Sequence, residues 1–330
     1  MASPAFWSVY LSPLLKELRT KGIGCHIAGM FMGVVAYADD LVLVAPNRTA
    51  AQNMLGTCEQ FATENNIQFS TDVNPNKSKS KALYVVGQKG QCEKPVPLML
   101  CGKALPWVDK CDHLGHSLNV WGSLEQDCRI KRAKFIEDSV KIREQFKFAH
   151  PTEIIAATET YCSSYYGHNL WGLRGEAANM LYSSWRTSVK LAWNLPRGTR
   201  SYFIDNLLAP GVTPPSVSLM TRQLSFFHSL LSSPSPEAET LARLSSRDIR
   251  STLGSNLAHI KTETGLNPWE FGGDRIKMEL IAHNASRVSE NDQWRIGFLD
   301  KLLNQRLHEY YNGSQECKEI DAMINSLSTS

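Results

Sequence analysis

Long apolar runs are the first thing missing from this sequence. No stretch of about 18 consecutive apolar residues occurs, so no segment has the length of a membrane-spanning helix. The opening stretch MASPAFWSVYLSPLLKELR has apolar residues but no basic region ahead of them, and does not read as a signal peptide. Net charge is also scarce. A formal +3 on 330 residues gives no whole-chain argument for a partner. Paired cysteine motifs are absent. The eight cysteines, Cys25, Cys58, Cys92, Cys101, Cys111, Cys128, Cys162 and Cys317, include no C-x-x-C pair, which fits free thiols in a reducing compartment. Cys111, His113 and His116 match no closed zinc spacing and read as structural. The sequence holds no G-x-x-x-x-G-K-[ST], no H-E-x-x-H and no G-x-S-x-G, which leaves P-loop, zincin and hydrolase chemistry without a motif.

What is present is an ordinary globular composition, 42% hydrophobic, long enough for one large domain or two. Residues 4–20 follow a helical pattern, with Pro4 in the first turn where proline is tolerated. Strand patterns follow at 25–45. A helix is expected at 49–65, capped by Thr49, with Met54, Leu55, Cys58, Phe61 and Ala62 on its apolar stripe. Strands are expected at 67–70, 81–86, 96–101 and 104–109, the last two joined by Gly102-Lys103, with a tight turn or hairpin at 113–119. Beyond Trp121 the texture turns helical: 123–148, 152–170, 176–194, 216–232, 237–254, 275–287, 293–312 and a short helix at 316–326. Mixed α and β followed by helices is an α+β arrangement with a boundary near residue 120. Trp107, Trp121, Trp171, Trp185 and Trp193 fall on apolar faces and are expected in cores.

Charge is uneven along the chain. Between Asn74 and Lys89 stand Lys77, Lys79, Lys81 and Lys89 with no acid; Arg129, Lys131, Arg132, Lys134, Lys141, Arg143 and Lys147 crowd a later helix among Glu137, Asp138 and Glu144. Both a solvated helix face and a phosphate-facing surface fit this pattern.

The most informative stretch is Gly33–Ala45, GVVAYADDLVLVA, where two apolar strands flank Tyr37, Ala38, Asp39 and Asp40. Aspartate is a common turn residue because its carboxylate bonds nearby backbone. Adjacent carboxylates at a hairpin tip also suit a hard cation such as Mg²⁺, which prefers oxygen ligands. Strand alternation keeps two neighbouring side chains from aiming at one point unless the turn helps, so one aspartate is the natural ligand and the other its support.

Tyr37-Ala38-Asp39-Asp40 between apolar strands resembles the palm signature of reverse transcriptases, in the variant of non-LTR (LINE-type) retrotransposons. Further segments follow in the order of that family. Ala2-Ser3-Pro4 with Phe6, Tyr10 and Leu14-Leu15 resembles the end of the motif before the catalytic hairpin. Asn74-Pro75-Asn76-Lys77-Ser78-Lys79 resembles the Asn-x-x-Lys-Ser/Thr motif after it. His113-Leu114-Gly115-His116 resembles the aromatic-Leu-Gly primer grip, with His113 in place of tyrosine, and Tyr165–Trp171 resembles a thumb-region helix. The likeness covers roughly residues 2–210.

The resemblance implies a partial polymerase palm over 1–120, a helical thumb-like domain over 121–210 and a C-terminal helical region over 211–330. It implies two-metal nucleotidyl transfer with Asp39 and Asp40 as Mg²⁺ ligands, and Lys77 beside the incoming triphosphate. It places Tyr37, Leu114 and Gly115 at the primer, and Arg129 and Arg132 along the duplex backbone. The implied partners are an RNA template, a DNA primer and deoxynucleotides, with no membrane and no small-molecule cofactor. The family carries another essential palm aspartate, upstream of the likeness, and a fingers region. Neither has a counterpart here, and no later acid in a strand pattern replaces that aspartate. The chain is therefore expected to be an N-terminally truncated fragment with an incomplete Mg²⁺ site, inactive alone. The alternative is a nucleic-acid-binding remnant without chemistry. No basic cluster is dense enough to argue for nuclear import over the cytoplasm.

Overall fold

The computed structural model describes residues 3–72, 74, 77–85, 96–163, 165–206, 212–286, 297–298, 301–305 and 317–329. The protein is mixed helix and sheet, mostly helical, and divides into two compact units, Met1–Ser123 and Leu124–Ser330.

In the first unit, helix α1 (Ser3–Lys21) buries Leu11, Leu14 and Leu18. Their spacing of three and four places them on one helical face. That face meets Met54, Cys58 and Phe61 of α2 (Arg48–Glu64), and the inner side of a hairpin made by β3 (Val34–Tyr37) and β4 (Asp40–Leu43). Two short strands, β1 (His26–Ile27) and β2 (Met30–Phe31), precede the hairpin. Helix α2 is capped by Asn47 rather than Thr49: the Asn47 backbone is extended, and its side-chain oxygen accepts from the Ala50 amide at 2.9 Å. That oxygen satisfies a first-turn amide that has no partner inside the helix.

The rest of the unit is built from short ladders. Strands β5 (Ala82–Leu83), β6 (Met99–Leu100), β7 (Lys103–Ala104), β8 (Trp107–Val108), β9 (Lys110–His113) and β10 (His116–Asn119) form two-stranded sheets, β6–β7 and β9–β10 antiparallel and β5–β8 parallel. The strand expected at 67–70 is irregular, and the one at 81–86 is two residues long among the described residues. The 96–101/104–109 hairpin turns at Cys101-Gly102, with φ 51° and 69°, not at Gly102-Lys103. Pro97 and Pro106 bound its arms, and neither has an amide to extend the ladder. Past Pro106 the chain leaves to pair with β5.

Helix α2 closes the outer rim of β6 with side chains. Gln52 donates to the Met99 carbonyl at 2.9 Å and accepts from its amide at 2.8 Å. Arg48 donates to the carbonyls of Val96 and Pro97 at 2.8 and 3.0 Å, and Glu59 accepts from the Cys101 amide. These bonds answer strand-edge groups that would otherwise face water.

The described residues of the second unit include α3 (Glu125–Gln145), α4 (Pro151–Cys162), α5 (Glu176–Ala192), α6 (Ser201–Asn206), α7 (Pro215–Leu231), α8 (Pro236–Arg247), α9 (Thr252–Thr264), α10 (Gly273–Ser286) and a later helix, Cys317–Thr329. Phe135, Trp171, Trp185, Trp193, Phe203, Phe227 and Ile260 belong to one continuous core. Trp121, expected in a core, is 72% exposed in the first unit; the Asn119 side chain accepts from its amide at 3.0 Å and fixes a turn that carries the ring outward.

Three helical expectations change. The 152–170 segment stops at Cys162, because Tyr165 and Gly167 take left-handed φ values of 42° and 82°; only His168–Leu170 recovers a single 3-10 turn. The 237–254 segment is two helices. Ser251 caps α9 by accepting from the Gly254 amide at 2.9 Å, and a Cβ on Gly254 would sit 2.2 Å from the Asp248 carbonyl oxygen. Helix α6 has no counterpart in the sequence pattern. Pro75-Asn76 and most of the 293–312 helix lie outside the described residues.

Candidate functional site

The hairpin pairs Val34 with Leu43, Val35 with Val42, Ala36 with Leu41 and Tyr37 with Asp40. Opposed residues share a face. Val34, Leu41 and Leu43 therefore turn into the core, while Val35, Tyr37, Asp40 and Val42 form the outer side, with Tyr37 66% exposed. Ala38 and Asp39 make the two-residue turn. Ala38 has φ 51°, and Asp39 is not left-handed. One positive φ at the first turn position is the pattern of a type II′ turn, which normally uses glycine there. An alanine in that conformation costs about 1–2 kcal/mol. The strain places Asp39 at the tip and Asp40 on the first strand residue, both exposed, with Asp40 beside Tyr37 on the outer face.

Two glycines set the base of the hairpin, a role not legible in the sequence. A Cβ on Gly24 would lie 2.8 Å from the Gly33 Cα, and one on Gly33 would lie 2.6 Å from the Phe31 ring. This close approach lets the Cys25 amide reach the Val44 carbonyl at 3.0 Å and the Val44 amide reach Gly33 at 2.8 Å.

Lys77 stands exposed on a loop organised from beneath by Ser78, which is buried. The Ser78 hydroxyl accepts from the Asp72 amide at 3.2 Å and donates to the Ser80 carbonyl at 2.5 Å. The amides of Lys77 and Ser78 both reach the Asn74 carbonyl, at 3.0 and 2.9 Å, and the Asn74 amide reaches the Asp72 carboxylate at 2.8 Å. Leu114 and Gly115, with φ 48° and 76°, form the turn between β9 and β10, where His113 faces His116. Two consecutive left-handed residues define a type I′ hairpin turn.

Arg129 and Arg132 lie in the second unit, and both are engaged with α5. Arg132 donates to the Ser184 hydroxyl at 2.6 Å and the Met180 carbonyl at 3.2 Å; Arg129 pairs with Glu176 at 3.3 Å. Lys134 and Lys141 pair with Asp138 and Glu137 along α3 at 3.4 and 2.5 Å. Lys131 lies 5.6 Å from the centre of the exposed Tyr166 ring.

Among the described residues no three His, Cys, Asp or Glu side chains stand together as a metal-binding group. Asp39 and Asp40 are oxygen donors of the kind Mg²⁺ prefers, but they are a pair rather than a full set. No helix of the described residues is long and apolar enough to cross a membrane. Compared with known proteins, the chain matches no family model and no curated protein.

Proposed function

We propose that the first unit is the C-terminal half of a reverse-transcriptase palm of the non-LTR retrotransposon kind, and that the helical unit supplies the thumb and the helical region after it. The observation that carries this reading is the strained turn at Ala38, which sets Asp39 and Asp40 side by side at an exposed tip between apolar strands. Left-handed turns recur at Ala28 and Cys101, and what sets this one apart is the pair of carboxylates it presents. The order of the Asn74–Lys79 and His113–His116 segments behind it supports the same reading.

In this reading Asp39 and Asp40 hold Mg²⁺, and Tyr37, on the same face as Asp40, flanks the primer end. Lys77, carried by the loop that Ser78 pins, neutralises the triphosphate, and the Leu114-Gly115 turn supports the primer strand. Bound Mg²⁺ would supply activation of the attacking hydroxyl and stabilisation of the leaving phosphate oxygen. Arg129 and Arg132 would track the duplex backbone from α3 while their contacts with α5 hold that helix in place. With two carboxylates rather than three, the chain alone is expected to show no templated primer extension. Supplying a palm segment with the third carboxylate should restore it, and Asp39→Ala should abolish the restored activity. Extension that is indifferent to Asp39→Ala would defeat the assignment.

A second reading, a nucleic-acid-binding protein without chemistry, is favoured by the incomplete carboxylate set. Duplex binding that weakens steeply with salt and survives Asp39→Ala, with no restorable extension, would select it.

A further inference from the structure

We propose that Arg174, His259 and Glu263 form an acid-sensitive latch that ties the segment 171–175 to helix α9 at neutral pH and loosens it below. The segment lies between the 3-10 turn and α5, and α9 holds it with side chains one turn apart. Asn256 accepts from the Leu173 amide at 2.9 Å and donates to the Trp171 carbonyl at 2.8 Å. One turn on, His259 receives a third bond: the Arg174 Nε–H donates to His259 Nδ1 at 2.8 Å.

That third bond has a protonation requirement. Arginine is always a donor, so Nδ1 must keep its lone pair and the ring must be neutral. A proton on Nδ1 removes the acceptor and sets two cations against each other. It also gives the ring another partner, because Glu263 Oε1 lies 3.7 Å from the same nitrogen. Acid therefore moves His259 from Arg174 to Glu263 within its own helix, and one of three ties to the segment is lost. The ring has little access to solvent, its side chain being 11% exposed. Helices α7, α8 and α10 pack against α9, and among the described residues the charged groups acting on the ring are Arg174 and Glu263. Burial first, and Arg174 second, hold the imidazole below its ordinary pKa, against the smaller opposing pull of Glu263. Its neutral form therefore persists into mildly acidic solution.

The test is amide hydrogen exchange on the full chain between pH 7.5 and 5, as protection factors corrected for the intrinsic rate. Protection of the Leu173 amide, which Asn256 holds, should fall about threefold to tenfold in the native chain. It should stay flat in His259→Asn, whose side-chain oxygen accepts near the Nδ1 position and does not titrate. A fall of the same size in His259→Asn would overturn the latch and assign the response to another group, such as the half-buried His168. Ring NMR of Arg174→Met gives an independent arm: removing the donor should raise the His259 titration midpoint, and an unchanged midpoint would refute the coupling.

Discussion

Ala38 is the residue on which the hairpin turns, and its strain is measurable. Glycine adopts φ 51° at no steric cost, while a β-branched residue resists it more than alanine. Ala38→Gly should leave stability unchanged or raise it by up to about 1 kcal/mol, and Ala38→Val should lower it by about 1–2 kcal/mol, as read from urea unfolding midpoints. A turn that merely tolerates alanine would show the two variants alike. Apolar strands around Asp39-Asp40 made the hairpin readable from sequence, because β-branched and apolar runs say strand and the acids between them say turn. The turn type was not readable, since nothing in an alanine announces a left-handed backbone. The cap at Asn47 was missed differently: Thr49 is also a capping residue, but asparagine is the stronger one and takes the position. At this scale too, the thiols of Cys58, Cys128 and Cys162 are pushed up to about 12, 11 and 11, chiefly by burial. Thiolate is the reacting form. At pH 8 these three should resist a disulfide reagent in the native chain and react once it is unfolded; rapid native labelling would show that the cores open.

Elements show where side-chain chemistry replaces regular pairing. Gln52 behaves as a strand residue carried by a helix, meeting both the amide and the carbonyl of Met99. Gln52→Ala leaves those two groups to water and should cost about 1–2 kcal/mol; a loss near zero would mean that water serves the rim equally well. Between α8 and α9, Gly254 is required by space rather than by φ. Gly254→Ala drives a methyl into the Asp248 and Ser245 carbonyl oxygens, and is expected to cost about 3 kcal/mol in unfolding free energy. The sequence read 237–254 as one helix because the apolar periodicity continues across the break. A glycine inside a helical pattern carries no mark of what lies opposite it. The strands expected at 96–101 and 104–109 ran across Pro97 and Pro106, whose missing amides account for the short β6–β7 ladder.

At the scale of the molecule, two histidines contribute to the response to acid. Burial holds His168 and His259 below the ordinary imidazole value in the folded chain. A lowered folded pKa means that the unfolded chain binds protons first. Stability is therefore full above about pH 6.5 and declines as pH falls from there toward the folded values. Glu159 works in the opposite sense. Burial raises its carboxyl, and Oε2 has no hydrogen-bond partner among the described residues, so its charged form weakens the fold as pH rises through the folded value. Glu159→Gln should then stabilise the helical unit at pH 7 more than at pH 4, and the reverse order would show that Arg222 outweighs burial. The α+β organisation was legible because helical periodicity takes over beyond Trp121. The single core of the second unit was not, because contacts such as Trp171 Nε1 to Asp127 at 2.9 Å join residues far apart in the chain.

The grip of α2 on β6 also decides how the chain can go wrong. With Arg48, Gln52 and Glu59 seated along that rim, a passing strand finds few backbone groups there to dock on. Among the described residues the ribbon from Val34 to Leu43 has no such guard: each of its strands pairs with one neighbour, and its outward side carries Val35 and Tyr37. Misassembly into fibrils at high concentration should nucleate on that ribbon, with the 96–104 loop as a bystander.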